Sequence, residues 1–526
     1  YLAFSECSIS KIEIPEGVET IGEYAFQGCA SLNRVSLPNS ILNLSETAFS
    51  SCPLVEVVLP QLICNMGFQS FFGDNKSIQT IEITFGVTNI AVNCFSRCRS
   101  IRNVYIPGSV VNIGGSAFNS CDSLNNVIIM HGVSNIEGNA FSYCKSLINI
   151  DIPSTVTNIS NRAFSGCYNL QQVTLREGLF SIGDFTFNNC NLLNTITIPS
   201  SVISIGNGVF ADCDSLISIS VNENNPSYKV KNSLLCDRKI KNIISCPSGI
   251  SNVVIPNGVT NISDYAFSCC RILTEVFIPS GIISIGKNAF MGCETLSSVS
   301  LPNSISEIGD SAFSGCSCLT SVEIPNKVKR IKASTFSGCS SLASVKIPDS
   351  VTYIEDYAFN SCYTLYDTAT IPGAKLVDGW AIQSDDSVND DFILEGVRGV
   401  AEKAFYKCRK IKKINLVNNI KSIGKYAFYN CPKLSSVTIN KCESDIDDYA
   451  FFWCANLTNL NININEKIGS EAFSSCESLS DVNINGTLTS IGNNAFSGCS
   501  SLNIFFIPNS VTNIGSSAFN GCTNLT

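Results

Sequence analysis

The sequence contains little charge, almost no histidine and no long apolar run. Asp, Glu, Lys and Arg make up 15% of the 526 residues and hydrophobic residues make up 44%, so the composition excludes an intrinsically disordered chain. The single histidine, His131, gives little support for a zinc site or for a nucleophile that a histidine base activates. No apolar run approaches the roughly 18 residues of a transmembrane helix, so we expect no membrane insertion by this segment.

The charge balance is mildly acidic, and the usual motifs of catalysis are missing. The net charge of −9 argues against nucleic acid and against anionic membranes as partners, because both require clustered Lys and Arg. No phosphate-binding loop, dinucleotide fingerprint or G-x-S-x-G motif stands in a suitable context. We therefore predict no catalytic residues, no cofactor and no enzyme activity. No signal peptide is visible, and the chain starts and stops inside repeats, so we expect a fragment without its caps.

A phenylalanine returns every 23 residues along most of the chain, and a cysteine nearly always follows it three positions later. The series is Phe4, Phe26, Phe49, Phe72, Phe95, Phe118, Phe141, Phe164, Phe187, Phe210, Phe267, Phe290, Phe313, Phe336, Phe359, Phe405, Phe428, Phe451, Phe473, Phe496 and Phe519. Asn75 replaces the cysteine after Phe72, and every other member has Cys at this position. A fixed period in this range is typical of a leucine-rich repeat solenoid, in which each coil buries its apolar face against its neighbours.

The repeat unit reads I-G-x-x-A-F-x-x-C-x-x-L-x-x-V-x-I-P-x-x-V-x-x-I. Its V-x-I step has the period of a short strand, and the proline that often follows ends that strand. The G-x-x-A-F-x-x-C stretch is compatible with a helical or 3-10 turn. We predict a single continuous, right-handed α/β-type solenoid over residues 1–526. It would have about 22 coils, short parallel strands along one face, and short helical or 3-10 turns and loops opposite.

Two interruptions break the period. The first separates Phe210 from Phe267, where apolar runs flank a polar Asp-Arg-Lys turn, and it predicts an inserted β-hairpin at 221–254 within one coil. The second separates Phe359 from Phe405 by two periods, and Ile382 stands at the phenylalanine position. We interpret residues 366–400 as a degenerate coil with an acidic loop.

The repeated cysteines indicate a structural ladder. Equivalent side chains of stacked coils point the same way, which argues against disulfides even though neighbouring strands lie about 4.8 Å apart. Representative ladder residues are Phe118, Cys121, Phe141, Cys144, Phe290, Cys293, Phe496 and Cys499. Better candidates for exposed thiols are Cys64, Cys94, Cys236, Cys246, Cys269, Cys318 and Cys442. Cys236 with Cys246 is the one pair to test for a disulfide.

No metal site is predicted. Carboxylates in the loop 385–391 are ligands that Ca²⁺ accepts, but the loop lacks the spacing and the glycine of an EF-hand. We interpret it as a solvated acidic loop.

Recognition is expected at the central residue of the V-x-I step, because this side chain points away from the core. Candidate ligand contacts are Tyr105, Phe277, Phe506, Glu82, Asp151 and Glu323. The three aromatic residues are not needed for solubility, and aromatic side chains dominate interface hot spots. The alternative is that scattered apolar residues on a surface have no function.

The repeat unit resembles the BspA-type, or Treponema-type, leucine-rich repeat over essentially all of residues 1–526. The segment Asn225-Pro-Ser-Tyr228 also resembles an insertion of that family. The resemblance implies a curved solenoid with a parallel sheet along one side. It also implies a surface or secreted protein that adheres to protein or glycan ligands on host cells, extracellular matrix or other microbes.

Two functions remain open from the sequence. The first is a non-enzymatic adhesion and binding protein at the cell surface or in the medium. The alternative is an intracellular protein-interaction scaffold, because a ladder of free thiols fits a reducing compartment equally well.

Overall fold

The computed structural model describes residues 1–45, 47–59, 77–384, 388, 391–394 and 396–526. It divides into two compact units: unit 1 comprises Tyr1–Gly281 and Ala289–Glu294, and unit 2 comprises Ile282–Asn288 and Thr295–Thr526. Both units consist of short strands joined by turns, and the described residues contain no helix.

Unit 1 has two rows of strands. The face row, formed by the V-x-I steps, contains β1 (Lys11–Glu13), β3 (Arg34–Ser36), β5 (Glu56–Leu59), β6 (Thr80–Ile83), β8 (Asn103–Ile106), β10 (Asn126–Ile129), β12 (Asn149–Ile152), β14 (Gln172–Leu175), β16 (Thr195–Ile198), β18 (Ser218–Val221), β22 (Asn252–Val254) and β24 (Glu275–Phe277). The side row contains β2 (Thr20–Ile21), β4 (Asn43–Leu44), β7 (Asn89–Ile90), β9 (Asn112–Ile113), β11 (Asn135–Ile136), β13 (Asn158–Ile159), β15 (Ser181–Ile182), β17 (Ser204–Ile205) and β23 (Asn261–Ile262). The remaining strands are β19 (Tyr228–Lys231), β20 (Leu234–Asp237) and β21 (Asn242–Ser245).

Unit 2 repeats this arrangement. Its face row contains β26 (Ser298–Ser300), β28 (Ser321–Glu323), β30 (Ser344–Lys346), β34 (Asp391–Ile393), β36 (Lys413–Ile420), β37 (Ser436–Cys442), β38 (Asn459–Ile464) and β40 (Asp481–Asn485). Its side row contains β25 (Ser284–Ile285), β27 (Glu307–Ile308), β29 (Arg330–Ile331), β31 (Tyr353–Ile354), β35 (Gly399–Val400), β39 (Lys467–Ile468), β41 (Ser490–Ile491) and β42 (Asn513–Ile514). The strands β32 (Ala374–Val377) and β33 (Trp380–Ser384) complete the set.

The face row is a parallel sheet whose register follows the repeat. Eight strands pair in the order β1-β3-β5-β6-β8-β10-β12-β14. Val104 pairs with Val127 and Tyr105 pairs with Ile128, one period apart in sequence. Valine and isoleucine at alternate positions point into the core, because successive side chains of a strand point to opposite faces. The predicted parallel sheet of about 23-residue repeats is confirmed.

The stretch around each ladder phenylalanine is a chain of tight turns, and the prediction of helical or 3-10 turns is wrong for the described residues. The amide of Cys121 donates to the carbonyl of Phe118 at 3.3 Å, but the amide of Phe118 donates to Ala140 of the next coil at 2.8 Å. Ser116 and Ser120 have φ of 55° and 59°. A right-handed helix cannot continue through such left-handed residues, and amides that bond to the next coil leave no continuous ladder within the segment.

The core of each unit is built from stacked phenylalanines. The rings of Phe118 and Phe141 lie 5.2 Å apart and within 5° of parallel, and those of Phe496 and Phe519 lie 5.5 Å apart. Phe290 is fully buried in unit 1. Burial of one such ring contributes about 2 kcal/mol, so the periodic phenylalanine adds to the similar contributions of the buried Leu, Val and Ile side chains of each coil. Phe72 and Asn75 lie outside the described residues.

Among the described residues, each unit has one irregular coil that begins with antiparallel strands. In unit 1, β19 pairs antiparallel with β20, and β20 pairs antiparallel with β21. In unit 2, β32 pairs antiparallel with β33. The last strand of each set then joins the side row, as β21 pairs in parallel with β23 and β33 pairs in parallel with β35. The two segments predicted to differ in kind, 221–254 and 366–400, therefore both contain antiparallel pairing.

Candidate functional site

The exposed side of the face row in unit 1 carries neighbouring apolar residues. Tyr105 is 49% exposed and pairs with Ile128, which is 45% exposed. Met130, just beyond β10, is also exposed. These side chains lie on adjacent strands with buried Val104 and Ile106 on the opposite face. The pleat of the sheet therefore presents an aromatic and aliphatic contact surface to solvent.

Charged residues flank this apolar surface along the same sheet. Glu82 is exposed on β6, the strand before β8. Asp151 is exposed on β12, the strand after β10, and its carboxylate accepts two hydrogen bonds from Arg176 at 2.9 and 2.7 Å. The two-bond geometry fixes the Arg176 side chain against the edge of β14. Glu82, Tyr105 and Asp151 are thus three predicted contact residues that one sheet brings together.

The other three predicted contact residues lie elsewhere. Phe277 is 63% exposed on β24 and pairs with the exposed Val254 of β22, in a different sheet of unit 1. Glu323 lies on β28 of unit 2, where Lys346 is 3.7 Å away. Phe506, also in unit 2, is 80% exposed but belongs to no strand. The six residues therefore do not form one site.

The ladder cysteines serve the backbone. The Cys121 thiol donates to the carbonyl of Phe95 in the preceding coil at 3.2 Å, and the Cys144 thiol donates to Phe118 at the same distance. Cys293 and Cys499 make the same bond to the phenylalanine one coil earlier. Each thiol thus satisfies a buried carbonyl oxygen that the turn leaves with spare acceptor capacity.

Burial keeps these thiols protonated. It raises the pKa of the Cys167 and Cys213 thiols to about 12, despite opposing hydrogen bonds from the backbone. It also holds the pKa of Cys121 and Cys144 well above the usual range. Because the thiolate is the nucleophile and the metal ligand, these four thiols are chemically inert at neutral pH.

The off-ladder cysteines are mostly buried, and the prediction that they are exposed holds for Cys318 alone among the described ones. Cys94, Cys236, Cys246, Cys269 and Cys442 are buried because they pack inside the corners and the irregular coil of unit 1 or at the end of β37. Cys236 and Cys246 are free thiols, and the side chain of Cys246 contacts Cys270. Cys64 lies outside the described residues.

Metal-binding geometry does not occur in the described part of the chain. There, no three His, Cys, Asp or Glu side chains come together as a possible metal site. His131 is exposed at the loop after β10. Most of the loop considered for Ca²⁺, residues 385–387 and 389–390, lies outside the described residues.

A cleft in unit 2 opens beside the irregular coil and is lined by Glu355, Tyr357, Gln383, Glu402 and Tyr406. Burial raises the pKa of Glu402, partly opposed by the nearby Lys403 ammonium. Residues 385–387, which continue from its wall, are outside the described residues, so the cleft is assigned no role.

A basic segment was missed by reasoning from net charge. Residues 403–442 contain ten Lys and Arg and no Asp or Glu. They include the run Lys407-Cys-Arg-Lys-Ile-Lys-Lys413. A charge count in a short window finds this segment directly, whereas the overall balance of −9 conceals it.

Tyrosines accompany this basic segment in unit 2. Tyr406, Tyr429 and Phe452 follow the ladder phenylalanine in three successive coils and stack at 5.0 and 5.2 Å. Tyr426 and Tyr449 form a second stacked pair at 4.9 Å. The same period that builds the core thus builds aromatic rows on the surface.

None of the described residues belongs to a helix that is long and apolar enough to cross a bilayer.

Comparison with solved structures finds bacterial leucine-rich repeat proteins. A leucine-rich cell surface protein from Faecalibacterium prausnitzii A2-165 is 28% identical over 68% of this chain and 86% of its own, with a TM-score of 0.51. The pneumococcal vaccine antigen PcpA is 22% identical over 57% of this chain and 78% of its own, with a TM-score of 0.44. A leucine-rich repeat protein from Eubacterium ventriosum is 19% identical over 76% of this chain and 83% of its own, with a TM-score of 0.34.

No curated protein sequence matches the chain. The model of the BspA type leucine rich repeat region, which holds six copies of the repeat, matches residues 1–125, 112–241, 238–366 and 398–526. These matches cover most of the chain, and the repeat that they describe is the one whose phenylalanine and cysteine ladders form the core. The chain therefore belongs to the BspA-type leucine-rich repeat family.

Proposed function

We propose that this chain is part of a non-enzymatic binding and adhesion protein that acts at the cell surface or after secretion. Its ligands are proteins or glycans of host cells, extracellular matrix or other microbes. The observation that carries the proposal is the exposed pair Tyr105 and Ile128 on the regular face row of unit 1. The similarity to a protein described as a cell surface protein supports the location.

The face row suits recognition because its backbone is rigid and its exposed positions are free to vary. Tyr105 presents a large ring on a strand whose neighbours fix its position. Glu82 and Asp151 supply a polar rim around Tyr105 and Ile128. An aromatic anchor surrounded by polar groups is the usual arrangement of an interface hot spot.

The buried ladder cysteines are poorly suited to nucleophilic catalysis. Burial raises the pKa of the Cys167 thiol to about 12, and this thiol donates to the carbonyl of Phe141. A nucleophile of this kind would first need a base that lowers its pKa. The proposal therefore relies on surface complementarity alone.

A second candidate is an intracellular scaffold. The free state of the described cysteines, including the exposed Cys318, favours this alternative because thiols persist in a reducing compartment. Labelling of intact cells with an antibody against this chain, before and after mild external proteolysis, separates the two. Surface labelling that proteolysis removes is expected; labelling that requires permeabilised cells contradicts the surface location.

The binding face is tested with the double variant Tyr105→Ser and Ile128→Thr in a cell-adhesion assay. We expect at least a tenfold loss of adhesion, since an aromatic hot spot is worth roughly 2 kcal/mol or more. The matched control is Phe180→Ser, which removes an aromatic ring of similar exposure (51%) that belongs to no face-row strand. Equal losses in the two variants would show that the face row is not the contact surface.

A further inference from the structure

Unit 2 contains a surface on which three cationic side chains have no ion-pair partner among the described residues. The acid-free segment 403–442 spans two successive coils, those of Phe405 and Phe428. Lys407, Arg409 and Lys433 are exposed, and they form no ion pair within the described part of the chain. In a chain with a net charge of −9, a segment with ten cations and no carboxylate of its own is a local feature and not a consequence of composition.

In unit 1, side chains at the position of Arg409, four residues after a ladder phenylalanine, form ion pairs with carboxylates. Four residues after the ladder phenylalanine, Arg99, Asp122 and Lys145 occupy the same position in three successive coils. The Asp122 carboxylate lies 3.5 Å from Arg99 and 3.2 Å from Lys145. Side chains at this position therefore reach one another across one coil spacing, and the position can hold an anion between two cations.

The same row in unit 1 forms a second cluster of this kind. Arg271 contacts Asp214 at 2.6 Å and Glu294 at 3.3 Å, again with all three residues at the fourth position after a ladder phenylalanine. In unit 2 this position is Arg409, then Pro432 in the next coil, and Lys433 follows at once. The cations remain, but the coil of Phe428 has no carboxylate at this position, and most of the acidic loop of the coil before Phe405 lies outside the described residues.

The aromatic rows beside these cations present edges and not faces. Tyr406 stacks on Tyr429 at 5.0 Å, and the Lys407 ammonium lies 5.0 Å from the centre of the Tyr406 ring. Phe452 covers the other face of Tyr429. Bases of nucleic acids and neutral sugars are recognised by stacking on open ring faces, which Tyr429, covered on both sides, does not offer. Ring edges carry partial positive charge, and tyrosine hydroxyls donate hydrogen bonds, so both are complementary to anions.

We propose that Lys407, Arg409 and Lys433, with Tyr406 and Tyr429, form a binding surface for a sulfated polysaccharide. This inference rests on the proposed adhesion function and names a ligand class for it. A chain of regularly spaced sulfate groups supplies the anions that Asp122, Asp214 and Glu294 supply in unit 1. Successive coils, about 4.8 Å apart, match a polymer that presents anions repeatedly along its length. The stacked ring faces argue against a nucleic acid as the occupant.

The test uses the purified full chain and heparin as the sulfated probe, with binding measured by calorimetry at several salt concentrations. The wild type should bind with an affinity that falls steeply as salt rises. The triple variant Lys407→Gln, Arg409→Gln and Lys433→Gln should bind about tenfold more weakly, because three exposed charge contacts each contribute a small free energy. Lys407→Arg with Lys433→Arg should retain binding.

The control changes the same amount of charge elsewhere. Lys231, Lys239 and Lys327 are exposed and lie outside the basic surface, so their triple change to Gln should leave heparin affinity unaltered. Equal loss in this control, or no binding by the wild type, overturns the proposal. Equal binding of poly-glutamate or of single-stranded oligo-dT by the same residues overturns the assignment to a polysaccharide.

This experiment can fail independently of the proposed function. Adhesion that depends on Tyr105 and Ile128, combined with no heparin binding, removes only the polysaccharide surface. Heparin binding by a protein that labelling places inside the cell leaves the surface chemistry intact and contradicts the adhesion function.

Discussion

The two irregular coils, one in each unit, can be compared strand by strand. In unit 1 the antiparallel strands β19 and β20 precede β21, which joins the side row; in unit 2 β32 precedes β33, which does the same. After each, the next side-row strand follows at a shorter step than in a regular coil: Asn242 pairs with Asn261, and Trp380 pairs with Gly399.

The backbone of the two coils then rejoins the regular pattern at equivalent residues. The amide of Cys246 donates to the carbonyl of Ala266 at 2.7 Å, and the amide of Ser384 donates to Ala404 at 2.6 Å. In a regular coil the ladder phenylalanine makes this bond. A coil can therefore lack the ladder phenylalanine as long as its backbone hydrogen bond to the next coil is kept. Other side chains must then fill the core volume that the phenylalanine ring occupies in a regular coil.

Those side chains differ between the units. At the first paired position unit 1 has two asparagines, and the Asn261 side-chain amide donates to Asn242 at 3.0 Å. Unit 2 has Trp380, fully buried, against Gly399, where an added Cβ would collide with the indole ring. The same register position is thus polar and partly exposed in one unit and a large apolar contact in the other.

The largest expected effect comes from removing that contact. Trp380→Ala should destabilise unit 2 by about 3–5 kcal/mol, because it deletes a fully buried indole and leaves a cavity. Asn242→Ala, at the same position of unit 1, should cost only about 1 kcal/mol. Amide hydrogen exchange of β35 and β23 measures the two local free energies.

A double variant sharpens this contrast. Gly399→Ala should destabilise the wild type because the new methyl group has no room beside the ring, but it should be tolerated in the Trp380→Ala background. Additive effects of the two changes would show that Gly399 is not selected by contact with Trp380.

The next effect concerns how each irregular coil begins. Asn225 is fully buried, accepts bonds from the amides of Ser227 and Tyr228, and donates to the carbonyls of Pro199 and Val202 at 2.8 and 2.9 Å. Asn225→Ala should cost about 2–3 kcal/mol because these buried groups lose their partner. Exchange of the β19 and β20 amides measures this loss.

Unit 2 supplies the control. Asp367 accepts bonds from the amides two and three residues later, as Asn225 does, but it is exposed. Asp367→Ala should cost less than about 1 kcal/mol, since water can replace the lost bonds. A comparable loss in both variants would mean that burial of Asn225 is not the source of its effect.

The sequence predicted the repeat but not the conformation of its corners, for physical reasons. Phenylalanine and cysteine recur because each stacks on or bonds to its equivalent in the next coil, so a period in sequence is a contact in space. The left-handed residues of the corners carry no such signal, because Tyr143 and Arg162 adopt φ of 58° and 59° where glycine would be the usual choice. Only the next coil, which accepts the corner amides, determines their conformation.

The candidate site was predictable in part. Alternation along the strands identifies Tyr105 as an outward residue, but which exposed residues are neighbours depends on the register of sheets. The dipeptide Asp378-Gly379 is a strong hairpin signal that a local search finds, although Ile382 was given the role of the missing phenylalanine. The basic run from Lys407 is likewise found by a local charge count, but the net charge of the whole chain conceals it.

The two irregular coils also differ in whether the residue at the ladder phenylalanine position can titrate. Burial, and after it the neighbouring thiol of Cys270, raises the pKa of Cys246 well above its usual range, whereas Ser384 at the equivalent position does not titrate. The unfolded chain loses this proton near pH 8.5. The stabilising effect of the neutral thiol is therefore complete below about pH 8.5 and falls as pH rises further, by about 1.4 kcal/mol per pH unit.

Cys246→Ser should reduce the loss of stability with rising pH near β21 by the contribution of this one thiol. Amide exchange between pH 7 and 10.5 under reducing conditions, corrected for its intrinsic pH dependence, measures the slope. Cys318→Ser, which removes an exposed thiol, serves as the control for the loss of a thiol as such. An unchanged slope for Cys246→Ser would show that this thiol is not held in its neutral form by burial.

The smallest effect lies in the two-residue turns of the antiparallel pairs. Asn232 and Ser233 join β19 to β20 with φ of 50° and 65°, and Asp378 and Gly379 join β32 to β33 with φ of 44° and 78°. Two positive φ values are the mark of a type I′ turn, which favours glycine at the second position. Ser233→Gly should stabilise the unit 1 pair by about 0.5 kcal/mol, since relief of the left-handed strain exceeds the entropy that glycine adds to the unfolded chain. Gly379→Ser should destabilise the unit 2 pair by about 1 kcal/mol.

Exchange of the β20 and β32 amides measures both changes in stability. A loss of stability in both variants would mean that contacts of the Ser233 side chain, and not its backbone strain, decide the conformation of that turn.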